Sequence, residues 1–594
     1  VHPHPRSTPD QTAKGEAFLL KLAAFLAEEV DPLEIEREAR IPEHVMKGLF
    51  GLGALGMNIE EGYGGLGLSN LYYNRALALA GTAHPALSTL LSAHQSIGAP
   101  QPLKLFGTQA QKEAFLPRLA RDEVSAFLLT EPDVGSDPAR MTTAATSADE
   151  GRAYLLNGTK LWATNGPIAN ILVVMAVVPP RKEAPAGGGR NGGITAFVVE
   201  AKSEGVAVVR RNSFMGLRGI ENGVIEFHDV RVPAENMVGE IGRGLRVALT
   251  TLNTGRLSLP ALCASSGKLC LKIAREWAAE RVQWGAPIGK HEAVAHKLAF
   301  IAASTFAMEA VVELSAMMAD EQRNDIRIEA ALAKLFCSET AWLVADEMVQ
   351  IRGGRGYETA ESLRARGESA VPAEQVLRDL RIARIFEGSS EIMKLLVARE
   401  AVDEHLSAAG ALADPKATLP EKLHSARAAA RFYARWFPQL AVGQGQLPGA
   451  FSAMGEPLAG HLRFVERSSR RLARSSFYGM ARWQAKLEKK QAFLGRLVDI
   501  GAELYAMSAA CVRARMLADD AAGGVPGGGP GEGGPGSQAV ELADLFCQAS
   551  RRRVRKLFFE LWANDDVANY KAAQQVLAGR YRWAEAGIMD PTSL

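Results

Sequence analysis

The feature that most constrains this chain is a double change of hydrophobic period. From residue 14 to about 130, apolar residues recur at helical spacing, as at Phe18, Leu19, Ala23, Phe25 and Leu26, and turns such as Gly62-Tyr63-Gly64-Gly65 interrupt them. From about 131 to 235 the period becomes two. Strands are expected at 194–200 and 224–232, and a hairpin at 153–163, because Asn157-Gly158 tolerates the positive φ of a tight turn. A Gly-rich stretch at 185–193 reads as a mobile loop between strands. From about 242 to 400 helical spacing returns, and Ile328, Leu332, Leu335, Trp342 and Val349 form a stripe that Gly353-Gly354 ends. The order helical, β, helical is not the βαβ alternation of a doubly wound fold, so a nucleotide site here is not of that kind.

Beyond residue 400 the chain continues with an Ala-rich stretch at 401–420 holding two prolines, read as a linker, and then helical segments over 421–594. Within these, nine of the fourteen residues at 523–536 are Gly and three are Pro, a composition that cannot pack a core and is expected to be disordered. The expected division is thus 1–130 helical, 131–241 β, 242–400 helical, a linker, and a further helical unit.

Charge excludes some partners. With 68 Lys+Arg against 66 Asp+Glu the net charge is +2, and no bulk electrostatic case for nucleic acid exists. Five cysteines, an odd number without regular spacing, do not make a disulfide framework and suit a reducing compartment. The longest apolar run, 171–178, is closed by Pro179-Pro180 and is far short of the ~20 residues that cross a bilayer. The opening Val-His-Pro-His-Pro has no apolar targeting stretch, so a cytoplasmic protein is expected. Metal-type spacings (Cys-x-x-Cys, His-Glu-x-x-His) and Gly-x-Ser-x-Gly are absent, and the isolated His94 and His228 read as structural.

Four polar patches remain: Leu129-Thr-Glu-Pro-Asp-Val-Gly-Ser136-Asp, Lys160-Leu-Trp162-Ala-Thr164-Asn-Gly, Glu280-Arg281-Val-Gln-Trp284-Gly, and Arg384-Ile-Phe-Glu387-Gly-Ser389-Ser-Glu391-Ile. Taken singly, each has a plain structural reading beside a functional one. Thr130 and Ser136 can cap a turn, Trp162 can be core, Arg281 can form a surface ion pair, and Glu387 can neighbour a helix cap.

Together, in this order, the patches resemble the acyl-CoA dehydrogenase family over roughly 40–400. Glu60-Glu-Gly-Tyr-Gly-Gly-Leu-Gly, Gln350-Ile-Arg-Gly353-Gly354-Arg-Gly-Tyr357 and Leu377-Arg-Asp-Leu-Arg-Ile carry the likeness further. The length and Asn253-Thr-Gly-Arg256 look most like the very-long-chain branch, which has an extra C-terminal helical domain. The resemblance implies an α+β, mostly α fold: an N-terminal helical domain, a central antiparallel β-domain, a four-helix bundle domain and the extra helices.

It also implies FAD-dependent α,β-dehydrogenation of a long- or medium-chain fatty acyl-CoA to trans-2-enoyl-CoA in β-oxidation, electron delivery to an electron-transfer flavoprotein, and a homodimer. Glu387 matches the catalytic base. Thr130, Ser136, Trp162 and Thr164 match positions at the flavin, Ser389 and Glu391 positions near its AMP portion. Arg281, Trp284, Gln350, Gly353 and Gly354 match positions reaching a neighbouring subunit's cofactor. Ser136, Arg256 and Gly388 match substrate contacts. Relatives that carry the base just before that arginine have no counterpart here, where the position is Gly255. Trp284 stands where Phe is usual and Ser389 where Thr is usual. Gln101 stands where small residues deepen the acyl pocket. The rival readings are an acyl-CoA oxidase, and a membrane or assembly scaffold acting through the C-terminal unit.

In that unit, residues 461–490 hold nine Lys/Arg and two Glu, interleaved with Leu472, Phe477, Met480, Trp483 and Leu487. They read either as a packed helix with a solvated basic face or as a peripheral membrane helix.

Overall fold

The computed structural model describes residues 3–180, 192–321, 325–413, 417–523 and 534–590. The first long helix, α1 (Pro9–Glu29), starts at a Thr8 cap whose side chain accepts from the Gln11 amide, with Pro9 in the first turn. It buries Phe18, Leu22 and Leu26, one stripe at four-residue spacing, against α2 (Asn70–Ala83). Then follow α3 (Pro85–Ser92), a π turn at Ala93–Ile97, and α4 (Pro100–Phe106). His94, in the π turn, is buried and satisfied by Ser125 Oγ at 2.9 Å and the Leu119 carbonyl at 3.0 Å, the structural role expected of it.

The β-domain is one eight-stranded sheet in the order β6-β7-β3-β2-β4-β5-β8, with β1 also paired to β4. The strands are β1 (Ser125–Leu128), β2 (Ala144–Ala148), β3 (Ala153–Thr164), β4 (Ile171–Val178), β5 (Gly193–Glu200), β6 (Val206–Arg211), β7 (Asn222–Pro233) and β8 (Met237–Val238). Most pairings are antiparallel, while β1 and β2 each run parallel to β4. The sheet therefore begins at Ser125, ahead of the expected boundary.

The expected hairpin at Asn157-Gly158 does not form. β3 runs straight through, and the register against β7 shifts between Leu156 and Gly158, a bulge. Asn157 Nδ2 donates to Asp229 Oδ1 and its Oδ1 accepts the Asp229 amide, both at 2.9 Å. Gly158 has φ +149°, and a Cβ there would lie 2.6 Å from Thr143 Oγ1.

Four long helices follow: α5 (Gly244–Glu280), α6 (Glu292–Glu321), α7 (Arg327–Arg352), ended by Gly353 as its pattern predicts, and α8 (Ser390–Ala413). α5 and α6 are long and apolar enough to cross a membrane, yet 72% of each apolar window is buried inside the protein, so they are core helices. The expected linker is largely helical: α8 continues to Ala413, and Pro420 falls in the first turn of α9 (Leu419–Ala441) behind a Thr418–Glu421 capping box. Alanine is a strong helix former, and the Ala-rich composition reads equally well as the end of a helix.

The remaining helices are α10 (Leu458–Trp483), α11 (Gln491–Ala521), α12 (Pro535–Glu560) and α13 (Asp566–Leu577). Of the Gly-rich stretches, 185–191 and 524–533 lie outside the described residues. The C-terminal unit does not have a core of its own. One apolar cluster runs from Leu259, Phe306, Leu335 and Met393 in the bundle to Leu504, Met507 and Phe546 on α11 and α12. All five cysteines are buried and free, including Cys511 and Cys547, whose sulfurs are 3.8 Å apart. On α10, Leu472 and Trp483 pack against the core, and Phe477 meets the rings of Tyr433, Trp436 and Phe437 on α9. The apolar side of 461–490 packs toward the protein, as the packed-helix reading has it.

Candidate active site

The turn that carries Glu387 is set by two successive residues with positive φ, +53° at Glu387 and +92° at Gly388. The first costs of order 1–3 kcal/mol in a non-glycine residue, so its surroundings must hold it. Lys334, fully buried on α7, does so by donating from Nζ to the Gly388 carbonyl at 2.7 Å. Position 388 favours glycine because its φ of +92° lies where side chains are strained, while the nearest atom, Met393 Cε, is the movable end of a flexible side chain.

Among the described residues, Glu387 Oε2 is buried without a hydrogen bond. It lies against α5 at Gly255, where a Cβ would come within 2.7 Å of Oε2 and 2.8 Å of Ile97 Cγ2. Gly255 thus makes room for the carboxylate and points along the direction from which a base on α5 would reach the same space. The π turn brings Ile97 to this point. Burial pushes the Glu387 pKa above the ordinary carboxylate range, and Lys334 and Arg256 oppose it only in part. Burial in turn brings Lys334 down to about 8, with Glu387 the main opposing influence. Arg256 is buried, donates to Asn253 Oδ1 at 2.6 Å, and leaves its Nε unpartnered. One residue before Gly255, Thr254 Oγ1 accepts from Gln101 Nε2 at 2.8 Å, so Gln101 spans from α4 to α5.

A second group lies at the end of the sheet. Trp162 has φ +55°, in a register irregularity near the end of β3, and its indole is 56% exposed. Thr164 accepts from Asn222 Nδ2 at 3.0 Å. Thr130 is half-buried, and its carbonyl accepts the Leu161 amide at 2.9 Å, fastening the following loop to β3. That loop is clamped by Glu131, whose carboxylate takes the Thr142 and Thr143 amides at 2.6 and 3.0 Å and Lys160 Nζ at 2.9 Å; Glu131, Thr143 and Lys160 are buried, while Thr142 is exposed. Ser136 is exposed beyond the clamp.

A third group surrounds Trp277, near the end of α5. The guanidiniums of Arg281, Arg352 and Arg355 lie 5.8, 4.9 and 5.5 Å from its ring centroid. Gln350 and the open Gly353-Gly354 turn end α7 beside Arg352, and a Cβ at either glycine would meet nothing. Trp284 is 95% exposed and Tyr357 86%. Ser389 accepts the Ile392 amide at 3.4 Å and so starts α8, while Glu391 is exposed. No described hydrogen bond joins the Trp277 group to the Trp162 group.

Comparison with known proteins decides the family. Residues 12–123, 126–230 and 242–402 match, in order, the N-terminal, middle and C-terminal domains of acyl-CoA dehydrogenase. The chain belongs to the acyl-CoA dehydrogenase family. It is 61% identical over 592 residues to the probable acyl-CoA dehydrogenase FadE10 of Mycobacterium tuberculosis, covering 99% of this chain and 88% of that one. It is 33% identical over 592 residues to the very long-chain specific acyl-CoA dehydrogenase of Homo sapiens, covering 98% and 85%. Among solved structures it resembles an acyl-CoA dehydrogenase complexed with FAD from Bacillus anthracis, with TM-score 0.74, 26% identity, and 94% and 91% of the two chains covered.

The acyl-CoA dehydrogenase is a flavin oxidoreductase that uses FAD. Its residues fit that group. An exposed indole and half-buried threonine hydroxyls suit the edge and face of a flat ring, and unhindered glycines beside three arginines suit a pyrophosphate. The structure also adds residues that sequence reading missed. Lys334, Ile97 and Trp277 carry no local signature, and Arg352 and Glu131, although inside quoted motifs, owe their contacts to residues elsewhere in the chain. Only the helical stripe containing Lys334 could have drawn attention, as a charge on an apolar face.

Proposed function

We propose that this acyl-CoA dehydrogenase oxidises a fatty acyl-CoA of medium or long chain to the trans-2-enoyl-CoA, as a cytoplasmic homodimer that passes electrons to an electron-transfer flavoprotein. The observation that carries the reading is the buried, unpartnered Glu387 Oε2 facing the Gly255 gap. A carboxylate without a hydrogen bond, its pKa raised by burial, is a ready base for a carbon-bound proton. Glu387 takes the α-proton. The Glu387 amide, which donates to no described backbone acceptor, faces the thioester oxygen and stabilises charge growing there. Bound FAD supplies the acceptor for the β-hydride. Thr130, Ser136, Trp162 and Thr164 hold the flavin, and Arg256 orders the substrate side beside Glu387.

The homodimer is supported by the exposure of Trp284 and Tyr357. A second copy brings Arg281, Trp284, Gln350, Gly353 and Gly354 to the cofactor held by the first. In this reading the Gln101–Thr254 bond, beside Gly255, limits the depth of the acyl pocket. Any membrane contact through 461–490 is electrostatic, because its apolar side packs inward.

Anaerobic titration of the holoenzyme with saturated acyl-CoAs of increasing length tests this. Flavin absorbance is expected to bleach over a limited range of lengths, and Gln101→Gly to extend that range upward. Glu387→Gln keeps flavin and slows bleaching by about 10²–10⁴-fold. Wild-type rates in Glu387→Gln, or no bleaching by any chain in the native enzyme, overturn the proposal. Peroxide formed in air at the rate of turnover marks an oxidase instead.

A further inference from the structure

On α10, Arg467, Arg470, Arg471 and Arg474 follow one another at i, i+3, i+4 and i+7, which stacks four cations on one helix face. Neighbours of like charge at these spacings destabilise a helix. The four line a hollow of about 410 Å³ against the end of α9, with Gln446 and Phe464. Two of them are partly engaged: Arg474 donates to the Leu440 carbonyl at 2.5 Å and Arg470 to the Ala441 carbonyl at 3.2 Å, and Arg470 also pairs with Glu466. Arg467 and Arg471 have no acidic partner among the described residues, and Arg471 instead lies 4.2 Å from the centroid of the Phe558 ring. From α12, Arg551 and Arg555 lean over Phe464, at 5.0 and 5.7 Å from its centroid. Arg551 lies within the electrostatic reach of Arg555 and Arg467, and Asp544, the carboxylate that acts on it, already bonds His461.

We infer that this hollow is a binding site for a compact phosphate-bearing anion of two or more negative charges, separate from the dehydrogenation site. Forked guanidinium donors match phosphate oxygens, the volume falls in the range of small-ligand sites, and a multivalent anion relieves the repulsion that the unpaired arginines otherwise sustain. Phe464 and Leu440 give one apolar wall, which suits a phosphate carried on an organic group. The chemistry is shared by a soluble phosphoester or diphosphate and by an anionic phospholipid headgroup.

The test is calorimetric titration of the full-length holoenzyme with pyrophosphate, with sulfate at equal ionic strength as control. Saturable one-to-one binding is expected, weakened by about tenfold or more in Arg467→Ala/Arg471→Ala and unchanged in Arg552→Ala, which is exposed on α12 but does not line the hollow. Flavin content and turnover stay unchanged in both variants. Co-sedimentation with phosphatidylcholine vesicles containing phosphatidic acid separates the sources. Binding that pyrophosphate displaces and the double variant loses assigns a headgroup, and pyrophosphate binding without vesicle binding assigns a soluble ligand. No heat with pyrophosphate, an equal response to sulfate, or equal binding by the double variant overturns the site.

Discussion

At the scale of single residues, the proposed base Glu387 is governed by a lysine that no motif announces. Lys334 does two things from one position: it holds the Gly388 carbonyl, and its charge opposes the rise in the Glu387 pKa. Arg256 is the other cation acting on Glu387, while Arg256, Cys263 and Glu339 also act on Lys334. In the proposed mechanism Glu387 acts deprotonated, so the rate is expected to fall as pH drops through its raised pKa. Burial brings Lys334 down toward about 8, and loss of its charge lets the Glu387 pKa rise. Lys334→Met is therefore expected to move the acid limb of flavin reduction to higher pH by about 1 unit or more, while Lys334→Arg restores it in part. Single-turnover reduction across pH reads this directly, and an unmoved limb reduces Lys334 to packing.

At the scale of elements, the loop from Thr130 to Thr143 is held by an ion pair between elements. Glu131 and Lys160 are 2% and 0% exposed, and Glu131 is held down to about 2: burial opposes this, but bonds from Thr143, Lys160 and Thr142 outweigh it. Because its folded pKa lies below the ordinary value, Glu131 contributes stability at neutral pH that is lost as pH falls from ~4.3 toward about 2. Glu131→Gln leaves Lys160 buried without its counter-charge and should cost about 3–5 kcal/mol. Thermal release of flavin fluorescence is expected at lower temperature in the variant, ahead of loss of helical circular dichroism. Coincident, unshifted transitions contradict the clamp. The same region marks how far sequence carried the reading. The period-two signal found the strands at 194–200 and 224–232, because half-buried strands write their burial into local alternation. Asn157-Gly158 was misread because the local signal of a tight turn and of a bulge is the same. What decides between them is Asp229, 72 residues away. Glu387 stands inside an ordered set of motifs, whereas Lys334, 54 residues from its carbonyl partner, does not.

At the scale of the molecule, the C-terminal unit behaves as part of the catalytic bundle. The apolar cluster runs without a break from α5 to α12, and buried charges pin the two regions together. Arg513 on α11 donates to Glu313 at 2.6 Å and lies 2.9 Å from Glu309, both on α6, while Lys394 on α8 meets Asp499 on α11 at 2.8 Å. Domain boundaries drawn from period and composition miss this, because a helix packed on a neighbour and a helix packed within its own unit have the same stripe. A shared core predicts one cooperative calorimetric transition for the holoenzyme, whereas an appended domain on a linker predicts two. Arg513→Met leaves Glu309 and Glu313 with less counter-charge in a buried setting and should lower stability by about 3–5 kcal/mol. If the units are one, that loss shifts the whole transition, flavin release included, although the substitution lies outside the residues that match the family's three domains. A separate early transition that leaves flavin bound would instead mean that the bundle stands without the C-terminal helices, and that their contacts with α6, α7 and α8 contribute little to holding the base in its turn.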